Sequence, residues 1–280
     1  MNSNLIPRVA AVHDLCGYGN CSLGIALPVL AACGIDAIPA ATAVLSTHTA
    51  FDKYTFYDLT DSLEATFLHW QEMGFRIDGI YSGFLGSARQ IDILRRFFEK
   101  SADRLILVDP VMADHGRIYK TYTPEMCAGL SQLARHADIL TPNMTEAAVL
   151  LNEPYLGQTA DAAESRRLCE GLMTLGCRQV VLKGIERGDG LVYNAILNEQ
   201  GDYTECQNPK VDAALHGTGD LFASVVAGLV FRKKSLVDAV RFAGQFVYDA
   251  ILLSKSQPGY LERGVSFEPL IGRIAAYAAE

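Results

Sequence analysis

The chain has 280 residues, half of them apolar, which is enough to bury a large α/β core. A net charge of −8, with Arg232-Lys233-Lys234 as its only basic run, argues against a nucleic-acid surface, and no apolar run reaches the eighteen or so residues of a membrane span. Seven cysteines, odd in number and without a C-x-x-C pair, indicate neither a disulfide framework nor a zinc site and fit a reducing cytoplasm with small-molecule partners.

Met1 to Pro7 shows no basic segment leading into an apolar stretch, so no targeting sequence is expected. Arg8 to Asp14 reads as a buried strand, Cys21 to Cys33 as a helix closed by Gly34, and Ile35 to Leu45 as a second strand. Pro39 suits an edge or an irregular strand better than a central one. A polar loop over Ser46 to Asp52 precedes a helix near Asp61 to Met73 and a strand at Ile77 to Ser82. Helix Ala88 to Lys100, strand Leu105 to Asp109, a loop over Val111 to Thr123 and helix Pro124 to Arg135 follow. Next come strand Asp138 to Thr141, helices Thr145 to Leu151 and Ala160 to Leu175, and strand Gln179 to Lys183. Leu191 to Leu197 and Tyr203 to Gln207 form a hairpin, and helices Asp220 to Phe231, Leu236 to Leu253 and Phe267 to Ala279 finish the chain. With no linker in sight, this alternation predicts one α/β domain over residues 1–280. Its three layers enclose a mostly parallel central sheet.

Ligands in such folds collect beyond the C-terminal ends of the strands, which directs attention to the residues just after each strand. The segment His216-Gly217-Thr218-Gly219-Asp220 enters a long apolar helix. Its glycines permit a tight turn, the first turn offers free N–H groups to an anion, and a carboxylate at Asp220 is favoured by the helix dipole. An anion cradle beside a carboxylate suits phosphoryl transfer to an alcohol, although a glycine turn with an Asp cap has the same pattern. Asp109 ends one strand and Asp114 follows five residues on; together they suit a hydrated Mg²⁺ or a capped loop. In Thr141-Pro142-Asn143-Met144-Thr145-Glu146, Asn143 and Glu146 suit a capping box or a place beside that cation. Lys183 and Gly184 end another strand, where the lysine meets a phosphate or simply faces solvent. Gly17-Tyr18-Gly19 lacks the third glycine and the later acidic residue of a dinucleotide fingerprint.

Taken together, these segments resemble the pyridoxal kinase family of the ribokinase-like kinases. Five motifs occur in the family's order: Ser46-Thr47-His48-Thr49, Ser82-Gly83-Phe84-Leu85-Gly86-Ser87, Asp109-Pro110-Val111-Met112-Ala113-Asp114, Thr141-Pro142-Asn143 with Glu146, and Gly217-Thr218-Gly219-Asp220. The resemblance implies ATP-dependent phosphorylation of the 5′-hydroxymethyl group of a B6 vitamer in pyridoxal 5′-phosphate salvage. ATP and Mg²⁺ would be required, and the need for a monovalent cation is left open. Asp220 would be the base, and Gly217, Thr218 and Gly219 would hold the transferred phosphoryl group. Asp109, Asp114, Asn143, Lys183, Gly184 and Thr218 would bind the nucleotide, with Asp109 and Glu146 reaching Mg²⁺ through water. Asp14, Thr49 and Phe84 would contact the pyridine ring, and a flap over residues 111–123 would close on ATP. A cytoplasmic homodimer is also implied. Asp14 stands where the family commonly has Ser, and Phe84 where it often has Tyr. Hydroxymethylpyrimidine kinase is the nearest alternative, disfavoured by Asp220 where that family tends to carry Cys; a vitamer carrier without turnover is the alternative of another class.

Overall fold

The computed structural model describes residues 5–101 and 103–280; Met1 to Asn4, part of the segment read above for targeting signals, lie outside them. The described strands are β1 (Arg8–Tyr18), β2 (Asp36–Thr47), β3 (Phe56–Asp58), β4 (Gly79–Ser82), β5 (Leu105–Val108), β6 (Ala113–Asp114), β7 (Arg117–Ile118), β8 (Ile139–Leu140), β9 (Gln179–Glu186), β10 (Leu191–Leu197) and β11 (Tyr203–Pro209). The helices are α1 (Leu23–Ala32), α2 (Thr60–Glu72), α3 (Ala88–Glu99), α4 (Pro124–Ala134), α5 (Met144–Leu151), α6 (Ala162–Met173), α7 (Thr218–Phe231), α8 (Leu236–Lys255), α9 (Tyr260–Arg263) and α10 (Ile271–Ala279). The fold is α/β: nine strands form a mostly parallel sheet flanked by helices, and β6 pairs with β7 alone. The chain divides into two compact units, one running through Tyr81 and resuming at Val211, the other spanning Ser82–Lys210.

In the first unit the strands run β4-β1-β2-β3. Val9 to Val12 of β1 are fully buried in succession, the mark of a strand covered on both faces. The strand does not end at Asp14 as expected but continues to Tyr18, because its parallel ladder with β2 extends to Tyr18 opposite Thr47. β2 likewise continues through Ser46 and Thr47, which the sequence assigned to a loop. β2 is not the edge strand expected from Pro39, since it lies between β1 and β3; Pro39 is opposite Ala11 of β1, and β3 meets β2 only at Ala43 to Leu45, so Pro39 has a neighbour on one side alone. Helix α7 is buried from Leu221 to Leu229, so it is apolar all round rather than along one stripe.

In the second unit the strands run β11-β10-β9-β8-β5, antiparallel where β10 joins its two neighbours and parallel through β9, β8 and β5. Local chemistry fixes the helix starts. Ser87 accepts from the Gln90 N–H at 3.3 Å, and Thr123 accepts from the Met126 N–H at 3.2 Å with Pro124 in the first turn. The loop over residues 111–123 holds a hairpin not visible in the sequence. His115 (φ 46°) and Gly116 (φ 74°) both take positive φ between β6 and β7, the requirement of a two-residue hairpin turn.

Candidate active site

The turn read from the sequence as an anion cradle belongs to the first unit. Gly217 is the N-cap of α7 at φ 84°, and a Cβ placed there would stand 2.1 Å from the Asn20 carbonyl oxygen. Both the left-handed conformation and this close approach demand glycine. Thr218, Gly219 and Asp220 form the first helical turn, whose N–H groups lack intrahelical acceptors. Thr218 donates its hydroxyl to the Leu215 carbonyl at 3.1 Å. Asn20 clamps this turn from beneath. Its N–H donates to the Arg263 carbonyl at 3.0 Å, and its side chain to the Val265 carbonyl at 2.8 Å and to Glu268 at 3.0 Å.

His216, one residue before the cradle, stacks on His48 with centroids 4.2 Å apart, and His48 Nε2 donates to the Glu262 carbonyl at 2.8 Å. Burial, with the neighbouring His48 second, pushes the His216 imidazole down to about 4, so it is neutral near pH 7. Nothing in the order of residues signals this stack, since its members lie far apart in the chain and have no metal-ligand spacing.

Asp14 is 5% exposed, and burial raises its carboxyl to about 6, partly opposed by a hydrogen bond from Ser22. Ser22 reaches it from an unusual backbone conformation, φ 48° and ψ −127°. Thr49 is half-buried in the turn that follows β2. His13, adjacent to Asp14, is fully buried with its ring edge-on to Tyr81, and burial lowers it to about 3. A carboxyl whose folded pKa near 6 exceeds its ordinary 3.8 retains its proton on folding between those values. Stability therefore falls as pH rises from about 4 to about 6 and stays lower above. Asp14→Asn is accordingly expected to raise stability at pH 7.5 by ~1–3 kcal/mol, with the gain vanishing toward pH 4. Thermal unfolding at both pH values checks this, and equal stability at pH 7.5 contradicts it.

The second unit gathers the residues proposed for the metal and phosphates. Asp109, 1% exposed at the end of β5, accepts from Lys183 at 2.5 Å and from the Thr141 hydroxyl at 2.9 Å through Oδ1. Its Oδ2 is buried without a protein partner. Lys183 is itself buried on β9, so the solvent-facing alternative is wrong: a buried ammonium requires the carboxylate it holds. Asn143 and Glu146 make the complete capping box of α5. Glu146 also accepts from the Met112 N–H at 3.3 Å, and Asn143 donates to the Ala113 carbonyl at 2.9 Å. Burial pushes the Glu146 carboxyl up to about 8 against the pull of Lys183, with Asp109 adding to the rise. The capping reading is thus correct, and both side chains also fasten the β6–β7 hairpin to α5.

Gly116 adds a third tie, its N–H donating to the Thr145 hydroxyl at 3.0 Å. Asp114 sits in this hairpin and accepts from the His115 N–H at 2.8 Å, while Gly184 (φ 77°) donates its N–H to Asn194 at 3.2 Å. Phe84 is buried edge-on to Tyr122 with centroids 5.8 Å apart. No group of three or more His, Cys, Asp or Glu able to hold a metal occurs among the described residues. A free carboxylate oxygen at Asp109 nevertheless fits Mg²⁺, which keeps most of its waters and takes one or two carboxylates alongside phosphate oxygens.

No helix among the described residues is long and apolar enough to cross a membrane. Comparison with known proteins agrees with the chemistry read from the residues. A pyridoxal kinase from Deinococcus radiodurans is 26% identical over 261 residues, covering 87% of this chain and 86% of its own. The thiamine biosynthetic bifunctional enzyme of Arabidopsis thaliana is 26% identical over 251 residues, 89% of this chain, which spans only 47% of that relative's length. A Bacteroides thetaiotaomicron protein described as a candidate phosphomethylpyrimidine kinase, crystallised with pyridoxal, superposes with a TM-score of 0.90 at 33% identity, covering 99% of this chain and 96% of its own. The phosphomethylpyrimidine kinase family matches residues 27–265, and the chain belongs to that family of ribokinase-like kinases, in which pyridoxal kinases are also found.

Proposed function

We propose that this chain is an ATP-dependent kinase that phosphorylates the 5′-hydroxymethyl group of pyridoxal, pyridoxamine or pyridoxine in pyridoxal 5′-phosphate salvage. The observation that carries the reading is Asp220 in the first turn of α7, directly behind a glycine N-cap that leaves the turn's N–H groups unblocked. Asp220 takes the proton of the attacking hydroxyl, and the N–H groups of Gly217, Thr218 and Gly219 hold the negative charge that grows on the transferred phosphoryl oxygens. Asp109 presents Oδ2 to hydrated Mg²⁺, with Lys183 fixing the carboxylate from its other oxygen. When bound, Mg²⁺ neutralises phosphate charge and orients the leaving group. Asn143, Glu146 and Thr145 hold the β6–β7 hairpin, which with Asp114 serves as the flap that keeps water from ATP. Gly184 contributes to the nucleotide side. Asp14, Thr49 and Phe84 contact the pyridine ring, with Asp14 facing the ring nitrogen. The working form is a cytoplasmic homodimer.

Hydroxymethylpyrimidine is the competing acceptor, favoured by the family's description and by the thiamine-biosynthetic relative. The Bacteroides protein crystallised with pyridoxal supports the B6 reading. Calorimetric titration of each acceptor in the presence of ADP and Mg²⁺ separates them. Pyridoxal or another vitamer is expected to bind at least about tenfold tighter than hydroxymethylpyrimidine, a difference of ~1.4 kcal/mol. Tighter binding of the pyrimidine would overturn the vitamer assignment.

A further inference from the structure

Three stretches of chain meet behind the cradle turn. Asn20 sets its main-chain carbonyl against Gly217, and Gly264, at φ 82°, lies so near that a Cβ there would stand 2.8 Å from the His216 carbonyl oxygen and 3.5 Å from that of Asn20. A side chain at either glycine would force the three apart. Main-chain hydrogen bonds cross the junction as well: the Val265 N–H donates to the His216 carbonyl and the Asn20 N–H to the Arg263 carbonyl, each at 3.0 Å. The turn that opens α7 is therefore tied to the segment that precedes α10.

The Asn20 side chain completes the tie. It is 8% exposed, and its amide nitrogen donates to the Val265 carbonyl at 2.8 Å and to Glu268 Oε1 at 3.0 Å, one hydrogen for each. The other oxygen of Glu268 accepts from the Phe267 N–H at 2.9 Å, which fixes the carboxylate against its own chain. The segment is anchored in turn. Val265 and Phe267 are buried, and the Ser266 N–H donates to the buried Ser254 of α8 at 2.8 Å. An apolar residue at position 20 would fill the same space without needing two acceptors, but it would not fix the direction of the turn.

We propose that Asn20 and Glu268 are positioning residues for phosphoryl transfer: the Asn20 amide, oriented by Glu268, sets the direction of the N–H groups of Gly217, Thr218 and Gly219. The effect on turnover rests on the kinase reading of the cradle; the brace itself does not. Donors aimed at charge that grows in the transition state lose much of their value when displaced by about 1 Å. That loss falls on kcat rather than on KM.

The test substitutes the brace in the full chain and supplies ATP, Mg²⁺ and pyridoxal. Asn20→Asp keeps the size of the side chain and removes both donors, setting a carboxylate against the Val265 carbonyl and Glu268. It is expected to lower kcat by about tenfold or more, with the KM for both substrates within about threefold. Adding Glu268→Gln gives the new carboxylate a donor and should return at least about threefold of that loss. A role confined to folding would give neither that split nor that rescue. Glu268→Ala, at an exposed position, keeps the test open if Asn20→Asp does not fold, with an expected kcat loss of about threefold or more. Hydrogen exchange read by mass follows the brace without turnover. Peptides carrying the Asn20 or Val265 amide should exchange at least about tenfold faster in each single variant, while those carrying Thr141, bonded to Val108 in the second unit, match the native protein. Native kcat or native exchange at the junction would overturn the proposal, as would a loss confined to KM or one that Glu268→Gln leaves untouched. If the native protein transfers no phosphate to pyridoxal while exchange at the junction responds, the kinase reading fails and the brace stands.

Discussion

Replacing Asp220 by Asn is expected to lower phosphoryl transfer by a factor of about 10²–10⁴, the usual contribution of a positioned general base, while leaving the KM for both substrates within about threefold. Asn has the same shape and can still occupy the first turn of α7, so folding and the N–H cradle behind Gly217 should persist. What it loses is the ability to take the hydroxyl proton. Steady-state rates together with an unchanged unfolding midpoint would establish this. A variant retaining a third or more of the native rate would assign the proton to another acceptor and reduce Asp220 to a helix cap.

The largest expected effect on stability lies in the second unit. Lys183→Met leaves Asp109 buried with no partner for its charge except the Thr141 hydroxyl. Breaking a buried ion pair from one side typically costs about 3–5 kcal/mol. For a chain of this length that lowers the melting temperature by roughly 6–15 °C. Adding Asp109→Asn to Lys183→Met should recover part of the loss, because the uncompensated charge is then gone. A Lys183→Met protein within about 1 kcal/mol of native stability would mean that water already screens the pair.

The alternation of strands and helices was legible because it is local. Apolar runs mark buried strands such as Val9–Val12, and Ser87, Thr123 with Pro124, and Asn143 with Glu146 announce helix starts through their own side chains. The cradle was legible for the same reason: Gly217 satisfies a backbone demand of its own position. Strand ends were not, since β1 and β2 extend as far as each other's hydrogen bonds reach, to Tyr18 and Thr47. β3, β6 and β7 span two or three residues and are too short for a period-two pattern to register. The burial of Lys183 depends on Asp109, 74 residues away, and the His48–His216 stack depends on partners the fold brings together. Lysine and histidine each have an unremarkable default, and only their three-dimensional neighbours displace it.

The most direct test offers the native protein ATP and Mg²⁺ with pyridoxal, pyridoxamine, pyridoxine or hydroxymethylpyrimidine in separate reactions and reads the products by mass spectrometry. A B6 vitamer that gains one phosphoryl group on its 5′-hydroxymethyl oxygen, at a rate exceeding that of the pyrimidine, is the result this account predicts. Phosphorylation of the pyrimidine alone, or vitamers bound without turnover, would contradict it.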